Sequence, residues 1–314
     1  MAQFDVTVVG ELNLDLILYG LPDELEPEKE ILANDLALTL GSSSAIFAHN
    51  LAVIGDRVGF ISRIGTDPLG KIALERLAGG GVDVSRVRTV AGPTKSGLTV
   101  IVTGTSSRRI LTYPGAMFEM GYDDLDIDYL RSGKHFHLSS LYLHRALRPR
   151  IPELFQRMKD AGLSTSLDTN DDPEDRWDGL EELLPLVDVL FVNEREASKV
   201  TGQANLEAAV EKLSAQVEVV AVKLGARGCR VRRGTQEWTH GGCAVNAVDP
   251  VGAGDSFDAG FLHQYVRGAD LQTCLAGGNL AGAFSTTCPG GTEAFREPAK
   301  WQEFLQQHGN EAVA

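Results

Sequence analysis

From residue 154 onward the chain alternates between strand-like and helix-like segments, and few architectures accept that rhythm. Apolar, β-branched runs at 163–167, 187–192 and 217–222 read as buried strands, with helical segments between them at 180–186 and 197–213. Strands joined by helical crossovers pair in parallel, and each helix must fold back over the sheet. The expected product is an α/β sheet covered on both faces. Ligands on such sheets gather beyond the strand C-terminal ends. Residues 4–9 and 58–64 are two further strand candidates.

Composition narrows the partners. Over 314 residues, 43 acidic side chains against 29 basic ones leave a net charge of −14, which disfavours nucleic acid or an anionic membrane as a general partner. Cys229, Cys243, Cys274 and Cys288 lie far apart with no Cys-x-x-Cys pair, so they read as reduced thiols rather than a disulfide framework or a zinc site. No basic N-terminal region precedes a long apolar run, and no stretch approaches membrane-spanning length. A soluble, cytoplasmic protein is expected, built as one large domain or two ordinary ones.

The stretch from Asp249 to Leu262 carries the strongest chemical signal. Val245 and Val248 read as a strand end, and Phe257, Phe261 and Tyr265 recur at four-residue spacing like the apolar stripe of a buried helix. Between them Gly252, Ala253 and Gly254 leave no bulk over the turn. Backbone N–H groups can therefore face open space at the positive end of the helix dipole, which makes an anion hole. Asp255 at its rim would repel a merely bound anion. It makes sense as a base taking a proton from a hydroxyl while the hole stabilises a phosphoryl group in transfer. A glycine-rich helix start capped by Asp255 explains the same residues, and local physics leaves both readings open.

Asp249-Pro-Val-Gly-Ala-Gly-Asp255 resembles the second signature of the ribokinase-like, or PfkB, carbohydrate kinases, with Pro250 where Thr is usual. The resemblance implies a single ribokinase-like domain over 1–314: a parallel-rich central sheet with helices on both faces, and a small antiparallel β lid from about 14–40 and 96–113. It implies Asp255 as catalytic base and Gly252, Ala253 and Gly254 as the anion hole. An exposed carboxylate is a weak base, so the proton would leave late in the transfer.

Other motifs follow in family order. Gly10-Glu-Leu-Asn13-Leu-Asp15 resembles the Gly-x-x-Asn-x-Asp loop whose amide and carboxylate bind sugar hydroxyls. Gly41, Ser42 and Ser43 stand where the family has Gly-Gly-x-x-x-Asn leading into a helix, with Ser42 for the second Gly and Ile46 for Asn. The serines could bind hydroxyls or simply cap the helix. Met117 replaces Asn in a Gly-Ala-Asn element. Asp168-Thr-Asn170 resembles the Asp-x-Asn element, and Arg176-Trp177 the Arg and Trp that follow it. Asn193-Glu-Arg-Glu196 resembles the Asn-x-x-Glu motif that acts on Mg²⁺ through water, adequate because Mg²⁺ takes one or two carboxylates plus waters and phosphates. Lys223, Gly225 and Gly228 resemble the turn bordering the nucleotide, and Asn279 lies in a segment resembling the adenine side. Asp249 is the candidate for a monovalent cation, K⁺, held largely by carbonyls.

Several attractive patterns carry less. Gly65-Thr-Asp-Pro-Leu-Gly70-Lys71-Ile72 nearly satisfies the P-loop pattern, but Ile72 lacks the hydroxyl for Mg²⁺ and Pro68 removes an amide. It resembles instead the family's first signature, a structural element. His135 and His137 share a strand face with no third metal ligand evident, and are expected to be structural. The acids at 171–175 read as a solvated turn. Arg145, or Arg108 and Arg109, could meet the phosphate of a sugar phosphate.

The reading is an ATP-dependent, Mg²⁺-assisted kinase of a small sugar or polyol, with a homodimer through the lid as in some relatives. The rivals are a nucleoside or sugar-phosphate kinase on the same scaffold, and a non-catalytic sugar sensor. Ser42, Ile46 and Met117 favour the sensor.

Overall fold

The computed structural model describes residues 2–104 and 107–309. Residues 105–106, inside the expected lid, lie outside the described residues. In chain order the strands are β1 (Val6–Val9), β2 (Asn13–Tyr19), β3 (Asp35–Leu40), β4 (Val58–Gly65), β5 (Asp83–Val90), β6 (Gly97–Thr103) and β7 (Arg108–Tyr113). They continue as β8 (His135–Ser139), β9 (Ser164–Asp168), β10 (Val189–Asn193), β11 (Val219–Lys223), β12 (Cys229–Arg233) and β13 (Gln236–His240). The helices are α1 (Ser43–Ile54), α2 (Pro68–Gly79), α3 (Ile127–Arg131), α4 (Ile151–Asp160), α5 (Glu194–Thr201), α6 (Leu206–Ser214), α7 (Ala253–Tyr265), α8 (Leu271–Ser285) and α9 (Pro298–His308).

The central sheet runs β13-β12-β11-β10-β9-β8-β1-β4-β5. It is parallel from β11 to β5 and antiparallel at β12 and β13. Burial on both faces explains why β10 and β11 read as unbroken Val, Leu, Phe and Ala. One face packs against Leu154, Phe155 and Met158 of α4 and against Ala209, Val210 and Leu213 of α6. The other packs against Phe47 and Leu51 of α1, Leu77 of α2, Phe257 and Phe261 of α7 and Leu275 of α8.

The register aligns the strand ends: Ser139 pairs with Asp168, and Asn193 with Lys223. The C-terminal edge of β8 through β11 is therefore a polar row above an apolar sheet.

A second sheet, β3-β2-β6-β7, packs against α2, and its Tyr19 reaches Asp249 ahead of α7. Its outer pairs are antiparallel hairpins, as expected of the lid, and they join through a parallel β2–β6 pair. Residues directly paired across strands share a face. The face that meets the central domain carries Asn13, Asp15, Tyr19, Thr39 and Thr99, whereas the opposite face carries Leu16, Leu18, Leu36, Leu38, Val100, Leu111 and Tyr113. The inner face adds buried Ile17 and Ile101 to these polar groups, whereas Leu36, Leu111 and Tyr113 on the outer face are exposed.

Three local expectations give way. Residues 180–186 form only turns and a 3₁₀ segment, Leu184–Leu186, because Pro185 cannot continue a helix. The span 197–213 is two helices: Gly202 ends α5 at φ +70° and Asn205 caps α6 through its side chain. Residues 241–248 form no strand, and Val248 is exposed. His135 and His137 are buried neutral imidazoles, pushed down to about 3 by burial, and both bond the Ser166 hydroxyl at 2.7 Å.

Candidate active site

The N-terminus of α7 is the centre of the site. Gly252 precedes it at φ +73°, a left-handed conformation that favours glycine, and an added Cβ would lie 2.4 Å from Gly291 Cα. The first turn of any helix leaves amides without helical acceptors. Here the Ala253 N–H turns back to the Pro250 carbonyl at 3.3 Å. Those of Gly252, Gly254 and Asp255 have no protein acceptor among the described residues. Of the four amides from Gly252 to Asp255, three thus lack a protein acceptor among the described residues.

Asp255 sits in that first turn and is buried, not exposed as the weak-base argument supposed. Burial first, and then the charge of Asp168, push its carboxyl up to about 6, while the Ser43 hydrogen bond and Lys223 act in the opposite direction. A carboxylate with that affinity for protons is a better base at neutral pH than an exposed one. Ser43 Oγ donates to Oδ1. Oδ2 accepts no hydrogen bond among the described residues, so it is the oxygen open to an acceptor hydroxyl.

Lys223 ends β11 beneath this turn. Its Nζ lies 3.3 Å from the position of a Cβ added to Gly254, and donates to Asp168 at 2.6 Å and to Asp258 at 3.3 Å. Burial works against its charge, but Asp168 and Asp258 outweigh that and hold it protonated. Asp258 is pushed well above the usual carboxylate range, by burial foremost. The sequence placed Lys223 at the nucleotide; the structure makes it the fixed cation of a buried acid cluster next to the hole. Asp258 was missed. Its signal was an acid flanked by Phe257 and Phe261, since a carboxyl on a buried helix face requires a partner.

Asn193 and Glu196 form a reciprocal helix cap: Asn193 Oδ1 accepts from the Glu196 N–H at 2.9 Å, and Glu196 Oε2 from the Asn193 N–H at 2.8 Å. Burial and then Asp168 push Glu196 up to about 7. Among the described residues no three acidic, His or Cys side chains converge to hold a metal directly. The Glu196 carboxylate beside the Asn193 amide fits Mg²⁺ held through waters and phosphate oxygens.

On the other side of the cleft, the small sheet brings Asn13 and Asp15 toward Asp255. Asn13 Nδ2 donates to Thr99 Oγ1 at 3.1 Å. Burial, and next the charge of Asp255, push Asp15 up to about 7. Gly41 faces it so closely that an added Cβ would stand 2.1 Å from Asp15 Oδ1. Ser42 takes up φ +59°, the conformation its glycine-like position demands, and donates to the Glu11 carbonyl at 2.8 Å. Ile46 packs against the turn: Cβ atoms added to Gly252 and Gly291 would meet it at 3.2 and 2.6 Å. Met117 is buried. Asn170, quoted in a motif but given no role, accepts from the Ser140 N–H at 2.8 Å and lies 3.2 Å from Ser43 Oγ.

The remaining predicted residues gather beyond Lys223. Gly228, at φ +94°, would place a Cβ 2.0 Å from the His240 carbonyl oxygen, and Gly225 stands at φ +61°. Asn279 donates to the Gly241 carbonyl at 2.5 Å and ties the same loop to α8. Asp249 accepts from Val251 N–H at 2.9 Å through Oδ1, and from Gly290 N–H at 3.0 Å and Tyr19 Oη at 2.7 Å through Oδ2.

Arg145, a candidate for a substrate phosphate, and its neighbours Arg148 and Arg150 are not free. Arg145 pairs with Glu174 at 2.8 Å, Arg148 pairs with Asp178, and Arg150 pairs with Glu153 at 2.9 Å. Arg108 and Arg109 are exposed on β7. A cavity of 320 Å³ lies among Tyr142, Arg145, Arg148 and Asp172, and another of 650 Å³ among His49, Arg76, Glu293 and Arg296. Neither is lined by Asp255 or the hole.

A helix start that offers three amides and one open carboxylate oxygen, above a parallel sheet and under a second small sheet, defines an α/β enzyme built for phosphoryl transfer to a hydroxyl. The chain matches the pfkB family carbohydrate kinases over residues 3–298 and belongs to that family, so it is a carbohydrate kinase with a ribokinase-like fold. It is 32% identical to an ATP-dependent ribose-1-phosphate kinase of Halopiger xanaduensis, over 92% of this chain and 94% of that one. Its fold superposes on a ribokinase from Arabidopsis thaliana complexed with ribose and ATP at a TM-score of 0.81, with 26% identity over 98% of this chain and 99% of that one. An adenosine kinase from Sinorhizobium meliloti shares the fold at a TM-score of 0.85 and 23% identity, over 98% and 99% of the two chains.

Proposed function

We propose that the chain transfers the γ-phosphoryl group of ATP to a hydroxyl of a small sugar, with Asp255 as the base that receives the hydroxyl proton. The observation that supports this is the open Oδ2 of Asp255 beside the unpartnered amides of Gly252, Gly254 and Asp255. The acceptor oxygen attacks the γ-phosphorus, the bond to the ADP oxygen breaks, and Asp255 takes the proton. The free amides meet charge on the transferred group, with the Lys223 ammonium behind Gly254 adding positive potential. Asn13, Asp15, Gly41, Ser42 and Ser43 orient the acceptor, and the small sheet acts as a lid that excludes water. Gly225, Gly228 and Asn279 shape the nucleotide side. Mg²⁺, when bound with ATP, neutralises phosphate charge, and Asn193 and Glu196 would hold it through water.

Asp249 offers little to K⁺ directly, because three donors already occupy its carboxylate. A cation there would rest mainly on backbone carbonyls. The exposed apolar residues of the small sheet support a homodimer: Leu36, Leu111 and Tyr113 are 62%, 59% and 54% exposed on its outer face. Reduced thiols at Cys229, Cys274 and Cys288 support a cytoplasmic location.

A sugar phosphate is the second reading for the acceptor, supported by the activity named for the Halopiger relative. A panel of free sugars, nucleosides and sugar phosphates, scored by kcat/KM, separates the two. Asp255→Asn should keep the fold and ATP binding and lose turnover on every acceptor; near-normal turnover would remove the base from the mechanism. ATP consumption that no acceptor stimulates would support the non-catalytic sensor.

A further inference from the structure

The strand that carries the acceptor contacts also reaches the phosphoryl-transfer turn. Asn13, Asp15, Ile17 and Tyr19 alternate on one face of β2, the face turned to the central domain. Asp15 stands against Gly41, and four residues further along the strand the Tyr19 hydroxyl donates to Asp249 Oδ2 at 2.7 Å. Asp249 is the first residue of the turn that ends in the anion hole, and it is buried. Its Oδ1 holds the Val251 N–H immediately before Gly252. Its Oδ2 holds the N–H of Gly290, whose neighbour Gly291 limits how far Gly252 can move. One carboxylate therefore fixes both walls of the turn, and Tyr19 is the donor that reaches it from the small sheet.

We propose that Tyr19 is a positioning residue that couples the seating of β2 over the acceptor to the geometry of the anion hole, acting through Asp249. With β2 seated, the third hydrogen bond on Asp249 locks the 249–252 turn so that the free amides face the transferred group. With β2 lifted, that bond is lost and the hole relaxes. Without an acceptor the enzyme is then slow to pass the phosphoryl group to water. This inference rests on the kinase reading above, because it assigns the 249–255 turn to phosphoryl transfer.

Tyr19→Phe keeps the ring and removes only the hydroxyl. Measured with the full chain, saturating MgATP and the best acceptor of the panel, it should lower kcat by about tenfold, the size expected for losing a hydrogen bond to a charged group. KM for the acceptor should stay within about twofold. ADP release without acceptor, relative to transfer, should rise. Because Tyr19 acts through Asp249, the substitution should add nothing further to kcat in an Asp249→Asn background. Unchanged kcat in Tyr19→Phe would overturn the proposal, as would effects of the two substitutions that simply multiply. If Asp249→Asn does not fold, the single variant still decides. Failure of the kinase reading looks different: Asp255→Asn would then retain turnover whatever Tyr19→Phe does.

Discussion

The protonation of Asp255 gives the sharpest test of the site, and Ser43 is the lever. Its hydroxyl donates to Asp255 Oδ1 and so favours the ionised form. A hydrogen bond to a charged group contributes about 1.5–3 kcal/mol, and the lower end applies here because Ser43 also lies 3.2 Å from Asn170 Oδ1. About 1.4 kcal/mol is one pKa unit, so Ser43→Ala should move the acid limb of kcat/KM up by roughly one unit. It starts at about 6 in the unliganded protein, the state that kcat/KM reports. At pH 6 the ionised fraction then falls from about one half to about one tenth, a fivefold deficit that closes by about pH 9.

The assay is ADP formation across pH 5 to 9 at low acceptor concentration, with coupling enzymes shown not to limit. Ser43 was also expected at the acceptor. Losing that contact would lower kcat/KM by one factor at every pH, which the shape of the profile separates. An acid limb that stays in place, or a deficit of equal size at pH 6 and pH 9, would refute the base assignment together with its electrostatic account.

Two further outcomes follow from the same geometry. Asp255 binds its proton more tightly in the folded protein, at about 6 against an ordinary 3.8, so it costs stability increasingly as pH rises through that window and fully above it. Asp255→Asn should therefore stabilise the fold by up to about 3 kcal/mol at pH 8, shrinking to about 1 kcal/mol at pH 4.5. Melting curves at the two pH values check this, and equal shifts would contradict it. Gly252→Ala should lower kcat by about 100-fold or more with the far-ultraviolet spectrum intact, because the added Cβ meets Gly291 Cα at 2.4 Å and the turn must move. Gly254→Ala meets nothing closer than Lys223 Nζ at 3.3 Å and should stay within about tenfold of the parent. Equal losses in the two variants would show that the turn is not held by close approach.

What the sequence made legible was whatever has a local cause. Strands β9 to β11 and helix α7 announce themselves through apolar runs and a four-residue stripe, and the glycines around 252 announce an open turn. The failures share a different cause. Val245 and Val248 looked like a strand, yet among the described residues neither is paired in a sheet, and pairing is a tertiary property. Residues 197–213 looked like one helix because apolar residues recur at helical spacing on both sides of Gly202, but the stripe changes sides there and Gly202, at φ +70°, ends α5. Asp258 and Lys223 are far apart in sequence and meet only when β11 lies under α7. No pattern on either element alone announces the ion pair.

The departures from the family pattern can be understood by asking which parts of the site are built from backbone. The anion hole is made of amides, so it depends on the conformation of the turn and hardly on side-chain identity nearby. Ile46 can stand in an Asn position because what the turn needs there is a packed wall against Gly252 and Gly291, and Ile supplies one. Ser42 can stand in a Gly position because the backbone still reaches φ +59°, with a hydrogen bond to the Glu11 carbonyl as partial return for the strain. Acceptor recognition works the other way. It is made of side chains on β2 and at the start of α1, so each substitution there changes which hydroxyls find a partner. On this scaffold the hole and acceptor choice are thus carried by different kinds of atoms, and changes at 42 should move acceptor preference well before they abolish transfer.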